Sequence, residues 1–137
     1  MSDRFRPDIV ISDRNSDPIA IVEVKRGTSY SVPHSVAQLA RYMAALGGSN
    51  TFAILADPQY IRVFHGDPAG DSNPITISAP EILRHYDADY ESQEVYESYL
   101  TSLVEAWLND LSIHWQSEHP PGENLLPEEL VTRLQAA

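Results

Sequence analysis

The stretch RPDIVISDRNSDPIAIVEVK, residues 6–25, decides the fold predicted for this chain. Its two ends, residues 6–12 and 19–25, are short, apolar and rich in β-branched side chains, which indicates two strands. Residues 13–18 between them form a cluster of turn-forming types, which favours a hairpin loop. The second strand is apolar almost throughout, so we expect it to be central in a sheet and covered on both faces.

The predicted hairpin would bring three charged side chains together. Asp8 lies near the start of the first strand and Glu23 near the end of the second, so antiparallel pairing makes them neighbours. Lys25 follows Glu23 by two residues and therefore shares its face of the strand. The plain alternative is a surface salt bridge at two strand ends, a pattern that often arises by chance. Burial of the acids in apolar strands argues against it, because an uncompensated buried charge is costly.

Two close carboxylates suggest a divalent metal site. They repel each other unless a cation lies between them, and Mg²⁺ or Mn²⁺ accepts one or two carboxylates while leaving positions for water and phosphate. We therefore expect Asp8 and Glu23 to bind the metal, with the main-chain carbonyl of Val24 as a further ligand. Lys25 would orient the attacking water and offset charge on a phosphodiester during hydrolysis.

The rest of the chain completes an α/β sandwich with about four strands flanked by helices and a long C-terminal helix. The predicted elements are a helix over 35–46, strands over 51–56 and 60–65, an optional edge strand over 75–78, a long helix over 92–115 and a last short helix from 126. We expect one core domain over residues 1–119, followed by a short helix or tail over 120–137.

Three motifs resemble the PD-(D/E)XK nuclease superfamily. They are Pro7-Asp8, then Ile21-Val22-Glu23-Val24-Lys25, then Gln38-Leu39-Ala40-Arg41-Tyr42, in the right order on the right elements. They are similar to the N-terminal nuclease domains of type I restriction R subunits and to RecB-type nucleases. The resemblance implies a restriction-endonuclease-like fold in which the Asp and Glu hold the metal and the Lys assists the nucleophile. It also implies that Gln38 and Tyr42, as a QxxxY motif, line the site.

The resemblance covers residues 6–65 and includes one departure. Members normally have a helix and a further strand ahead of the Pro-Asp strand, whereas fewer than ten residues precede it here. We expect these elements to be missing, or replaced by the C-terminal helices or by a partner chain. A sheet without them leaves an edge or apolar face to protect, and oligomerisation is one remedy.

Charge keeps two classes of function open. A net charge of −11 has the wrong sign for a free-standing nucleic-acid binder, but residues 1–50 have six Lys or Arg against five acids. The first hypothesis is therefore a metal-dependent nuclease acting on nucleic acid, with DNA favoured, alone or with a partner that grips the DNA. The alternative is an inactive domain for oligomerisation or protein interaction, through the wide apolar stripe of the long helix.

Several classes of protein are excluded or disfavoured. The chain has no cysteine, so disulfides, thiolate metal sites and cysteine nucleophiles are excluded. Its start lacks the apolar run of a signal peptide, and no segment approaches the roughly eighteen apolar residues that a membrane span requires. We expect a cytoplasmic protein with no membrane partner.

Overall fold

A five-stranded sheet forms the centre of the protein. The computed structural model describes residues 6–26, 32–46, 50–70, 73–90 and 96–137. The strands, which lie side by side in chain order, are β1 (Ile9–Ser12), β2 (Pro18–Val24), β3 (Phe52–Ala56), β4 (Tyr60–His65) and β5 (Ile75–Ser78). All neighbours pair antiparallel except β2 and β3, which are parallel. A parallel pair needs a crossover connection, which helix α1 (Val32–Leu46) supplies.

The predicted antiparallel hairpin is confirmed. One carboxylate oxygen of Asp13 accepts hydrogen bonds from the main-chain N–H groups of Asn15, at 2.8 Å, and Asp17, at 3.0 Å. Ser16 takes the left-handed conformation, with φ of 67°, which lets the chain reverse within this loop. The turn sets the register of the two strands, so that Ile9 pairs with Val22.

Helix α1 covers one face of the sheet, which we call the α1 face. Its buried side chains Leu39, Tyr42 and Met43 pack in a small cluster against sheet residues that include Ile21 and Leu55. Side chains alternate between the two faces along a strand, so residues two apart from Ile21 on β2 also belong to the α1 face. Glu23 is one of these residues.

In the described parts of the chain, three helices cover the opposite face. They are α2 (Ala79–Leu83), α3 (Glu97–Ile113) and α4 (Glu128–Ala136). Trp107 of α3 is fully buried in the larger core and donates a hydrogen bond from its indole nitrogen to the carbonyl of Pro121, at 2.8 Å. Leu130 and Leu134 of α4 are buried in the same core. The last helix thus helps to cover the sheet.

The architecture agrees with the predicted α/β class. The structure differs from the prediction in the number of strands, in the ends of some elements and in the short helix α2, which was not predicted. The sheet has five strands rather than about four, because residues 75–78 do form the edge strand. The first strand begins at Ile9 rather than residue 6, and the long helix ends at Ile113 rather than Trp115 because His114 is left-handed, with φ of 52°. The predicted start of that helix at 92–95 lies outside the described residues.

The apolar stripe of α3 is core. Its members Leu100, Leu103, Val104, Trp107, Leu108 and Leu111 are all buried within this chain. Tyr96, which directly precedes the helix, is by contrast 77 % exposed. Among the described residues, no helix is both long and apolar enough to cross a membrane.

Candidate metal centre

Glu23 lies near the carboxyl end of β2 on the α1 face, and only 6 % of its surface is exposed. Its neighbours on β2, Val22 and Val24, are buried in the core on the opposite face. The position is dictated by strand alternation, because the sequence places an acid where the α1 face should continue with an apolar side chain. Such a buried carboxylate is costly unless something compensates its charge.

Asp8 lies beside Glu23, as predicted from the hairpin. Since Ile9 pairs with Val22 in antiparallel strands, Asp8, one residue before Ile9, lies opposite Glu23, one residue after Val22. Asp8 precedes β1, and its carboxylate accepts a hydrogen bond from the main-chain N–H of Val24 at 2.7 Å. The side chain thus binds a main-chain group at the end of the hairpin and is fixed in place next to Glu23.

The surroundings of Glu23 favour its protonated form. Burial is the largest cause, the negative charge of Asp8 is the next, and together they raise the pKa of Glu23 to about 7 despite the opposing charge of Lys25. One carboxylate oxygen of Glu23, Oε1, is buried and has no hydrogen-bond partner among the residues that the structure describes. A bound cation would satisfy this oxygen and relieve the repulsion between the acids.

A chain of contacts joins Glu23 to helix α1. The Lys25 ammonium lies 3.4 Å from Oε2 of Glu23 and donates to the side-chain carbonyl of Gln38 at 3.3 Å. The Gln38 amide in turn donates to the hydroxyl of Tyr42 at 3.0 Å. Gln38 and Tyr42 are one helical turn apart, which places both on the side of α1 that meets the sheet.

The donor set fits a hard divalent cation with few protein ligands. Within the described parts of the chain, no group of three or more His, Asp or Glu side chains could hold a metal ion. Asp8 and Glu23 therefore offer two carboxylates, a number that suits Mg²⁺ when water and substrate phosphate supply the other ligands. The contribution of the Val24 carbonyl stays a prediction.

The structure brings all five predicted side chains into one continuous cluster, and it adds neighbours that the sequence reasoning missed. Asp57 follows β3, the strand next to β2, and Tyr60 and Arg62 lie on the α1 face of β4, two strands away from β2. The signal was present in the alternation of polar and apolar residues over 60–63, with polar positions on the face that also holds Glu23.

Residues 1–76, more than half of the chain, match the family model described as the type I restriction enzyme R protein N terminus. This match spans β1, β2 and α1 and therefore every residue of the candidate metal centre. No curated protein and no solved structure gives a significant match to the chain.

Proposed function

This chain belongs to the type I restriction enzyme R protein N-terminus family, and on that premise we propose that it is a metal-dependent nuclease domain that hydrolyses phosphodiester bonds in DNA. The assignment to the PD-(D/E)XK superfamily is part of the same proposal. The observation that carries it is the buried Glu23 beside Asp8, with a raised pKa and an oxygen that has no hydrogen-bond partner among the described residues. Perturbed carboxylates of this kind concentrate at functional sites.

Asp8, Glu23 and the Val24 carbonyl would hold Mg²⁺ or Mn²⁺. When bound, the ion would polarise a phosphoryl oxygen and acidify a water molecule. The protein's own part begins with the two carboxylates, whose mutual repulsion makes the site receptive to a cation. Asp8 is positioned by the Val24 N–H, so it contributes its charge from a fixed place.

Lys25 would act on the nucleophile and on the phosphate. Its ammonium lies between Glu23 and Gln38, and a quarter of its side chain remains exposed. From there it can hold the attacking water by a hydrogen bond and offset the negative charge that develops on the phosphate. Gln38, itself held by Tyr42, would keep the ammonium in position.

An inactive interaction domain is the second candidate, and the charge of the chain favours it. Residues 51–137 contain three Lys or Arg against fifteen acids, which disfavours binding to DNA without a partner. The apolar stripe of α3 does not support this candidate, because the structure buries it. Light scattering combined with metal titration separates the two, since a strict monomer that binds Mg²⁺ or Mn²⁺ would count against an assembly role.

Cleavage of single- and double-stranded DNA with Mg²⁺ or Mn²⁺ tests the nuclease. We expect wild-type protein to cut, and Asp8→Asn and Lys25→Ala to lose cutting. Asp8→Asn removes the charge while keeping an oxygen that can accept from the Val24 N–H. Asp17→Asn is the matched control, because Asp17 is an exposed acid in the same hairpin. Cutting that survives both site substitutions contradicts the proposal.

A further inference from the structure

A second polar group borders the candidate metal centre on the α1 face. Strand pairing sets Glu23 opposite Leu55 and Leu55 opposite Arg62. Tyr60 is two residues from Arg62 on β4 and therefore lies on the same face. Adjacent strands are about 4.8 Å apart, so two strand spacings separate Arg62 from Glu23 by about 10 Å.

Asp57 organises this group at the turn between β3 and β4. Its Oδ1 accepts hydrogen bonds from the main-chain N–H groups of Gln59, at 2.7 Å, and Tyr60, at 2.8 Å. Its Oδ2 forms an ion pair with the guanidinium of Arg62 at 3.1 Å, and both side chains are largely buried. One carboxylate therefore fixes the backbone of Tyr60 and the side chain of Arg62 together.

Arg62 in turn supports the ring of Tyr60. The guanidinium carbon lies 5.3 Å from the centre of the ring, within the range of a cation–π contact. Tyr60 is nevertheless 44 % exposed. An exposed tyrosine ordinarily keeps rotamer freedom, whereas this ring has a hydrogen-bonded backbone and a guanidinium that is itself held by a buried acid. The result is an aromatic surface that is both ordered and accessible.

We propose that Tyr60 is a stacking platform for an unpaired base of the nucleic-acid strand that the metal centre would cut, with Arg62 and Asp57 as its positioning residues. The inference rests on the proposed nuclease function and adds a substrate-binding position to it. Bases stack on aromatic side chains whatever their identity, and an arginine beneath the ring adds to such stacking. The substrate class is therefore single-stranded DNA, or a duplex locally opened at this position.

The spacing limits which base the platform would bind. One nucleotide advances a strand by about 3.4 Å along the axis of a duplex. Tyr60 is also two residues along β4 from Arg62, so its backbone lies about 12 Å from Glu23, which corresponds to at most about four nucleotides because an unpaired strand is more extended than a duplex. The strand would run across the sheet from β2 towards β4.

Binding of a fluorescently labelled single-stranded oligonucleotide tests the platform without cleavage. About eight nucleotides is short enough to limit sliding. Ca²⁺ replaces Mg²⁺, because it takes oxygen ligands without the octahedral geometry of Mg²⁺, and the oligonucleotide is checked to be intact afterwards. Tyr60→Ala should weaken binding about 5- to 150-fold, the range for losing one base–aromatic stack. Tyr60→Phe, which keeps the ring, should bind within about twofold of wild type.

A matched control separates stacking from a general surface effect. Tyr96→Ala removes another exposed tyrosine, at the start of α3 on the other side of the sheet, and should not change binding. Wild-type binding by Tyr60→Ala, or equal losses in Tyr60→Ala and Tyr96→Ala, overturns the platform. So does a wild-type protein that does not bind the oligonucleotide.

An abasic nucleotide moved along the oligonucleotide locates the stacked base. In wild type, one position within about four nucleotides of the cut should show weakened binding. In Tyr60→Ala the abasic nucleotide at that position should have no further effect, because the stack is already lost. An unchanged penalty in Tyr60→Ala overturns the inference. Failure of the nuclease proposal looks different, since cutting would be absent while the Tyr60-dependent binding persists.

Discussion

Glu23 and Asp110 are both buried carboxylic acids, one on each side of the sheet, and their surroundings have opposite effects on them. Glu23 lies on the α1 face, with a second carboxylate beside it and an oxygen that no described donor reaches. Asp110 lies on α3, fully buried, and each of its oxygens accepts at least one hydrogen bond. Asp110 therefore stabilises the fold, whereas Glu23 lowers its stability unless a bound ligand compensates its charge.

Asp110 closes the end of α3. Its Oδ1 accepts from the main-chain N–H groups of Gln116, at 2.9 Å, and Ser117, at 3.0 Å, while Oδ2 accepts from the Tyr86 hydroxyl at 2.6 Å. Burial by itself raises the pKa of Asp110, but these hydrogen bonds outweigh it and hold the pKa below its usual value. The charged form is the stable one, so this site needs no further ligand.

Glu23 shows the reverse balance, in which burial and the charge of Asp8 outweigh the attraction of Lys25. A fold retains such an acid at a cost in stability, and a cation would remove that cost. The comparison teaches that the number of hydrogen bonds around a buried acid, rather than its burial alone, distinguishes a structural acid from a candidate ligand. Four tests can break or sharpen this distinction.

The largest expected effect is on cleavage by Glu23→Gln. We expect the cleavage rate to fall at least about 100-fold, since even residues that only support a metal ligand change activity 10- to 100-fold. The free energy of unfolding at pH 8 should not fall, because the substitution removes a buried charge that repels Asp8. Cleavage assays and urea unfolding measure the two quantities. Glu105→Gln, on the exposed face of α3, is the control and should change neither.

The next effect is on stability and belongs to Asp110→Ala. It leaves the Tyr86 hydroxyl and two main-chain N–H groups without their acceptor, so we expect a loss of about 3 kcal/mol in the free energy of unfolding. Asp110→Asn should lose less, because its carbonyl can still accept. Cleavage per folded molecule should stay at the wild-type level. A large loss of cleavage at unchanged stability would reverse the roles given to the two acids.

The third test uses pH, because the two pKa shifts have opposite signs. For Glu23 the pKa in the folded protein, about 7, is above the ordinary value of 4.5, so the folded protein binds more protons than the unfolded chain between these pH values. The contribution of Glu23 to the free energy of unfolding therefore falls as the pH rises from about 4.5 to 7. For Asp110 the pKa in the folded protein is below the ordinary value of 3.8. Its stabilising contribution to the free energy of unfolding is therefore present above that pH and is lost as the pH falls further.

Differences between stability curves isolate each acid. The free energy of unfolding of wild type minus that of Glu23→Gln should decline between about pH 4.5 and 7. The same difference for Asp110→Asn should change only below about pH 4. Adding Mg²⁺ should shrink the decline attributed to Glu23, because a bound cation lowers its pKa. A decline that Mg²⁺ leaves unchanged would separate Glu23 from the metal site.

The sequence predicted one side of this comparison better than the other. Turn formers and strand alternation within residues 6–25 are local signals, so the neighbourhood of Asp8 and Glu23 followed from them. The partners of Asp110 include Tyr86, which is 24 residues away in the chain, and no periodic pattern links the two. The loop that reaches Asp110 depends on tertiary packing that sequence pattern does not contain.

The sequence also did not predict the exact ends of the helices and strands or the shortest helix. Helix α2 has only five residues, too few to show helical periodicity, and it is begun by Ser78 accepting from the Glu81 N–H, with Pro80 in its first turn. The β3–β4 hairpin was predicted as two strands, but the joint role of Asp57 was not, because it depends on the approach of Arg62 to a turn. Periodicity predicts which face of a helix or strand a residue lies on, whereas side-chain contacts between elements depend on the tertiary structure.

The smallest effects come from the tyrosines beside the two acids, which a pair of Tyr→Phe substitutions compares. Tyr86→Phe removes one hydrogen bond to a charged, buried acceptor, so we expect a loss of about 1.5 kcal/mol in the free energy of unfolding and unchanged cleavage. Tyr42→Phe removes the acceptor of the Gln38 amide, and we expect less than about 1 kcal/mol in stability but up to about a tenfold loss in cleavage. Both rings keep their packing in Phe, so the hydroxyl alone is tested. If Tyr42→Phe changed only stability, the contacts from Glu23 to α1 would be structural. The functional difference between the two faces would then rest on Glu23 and Asp110 alone.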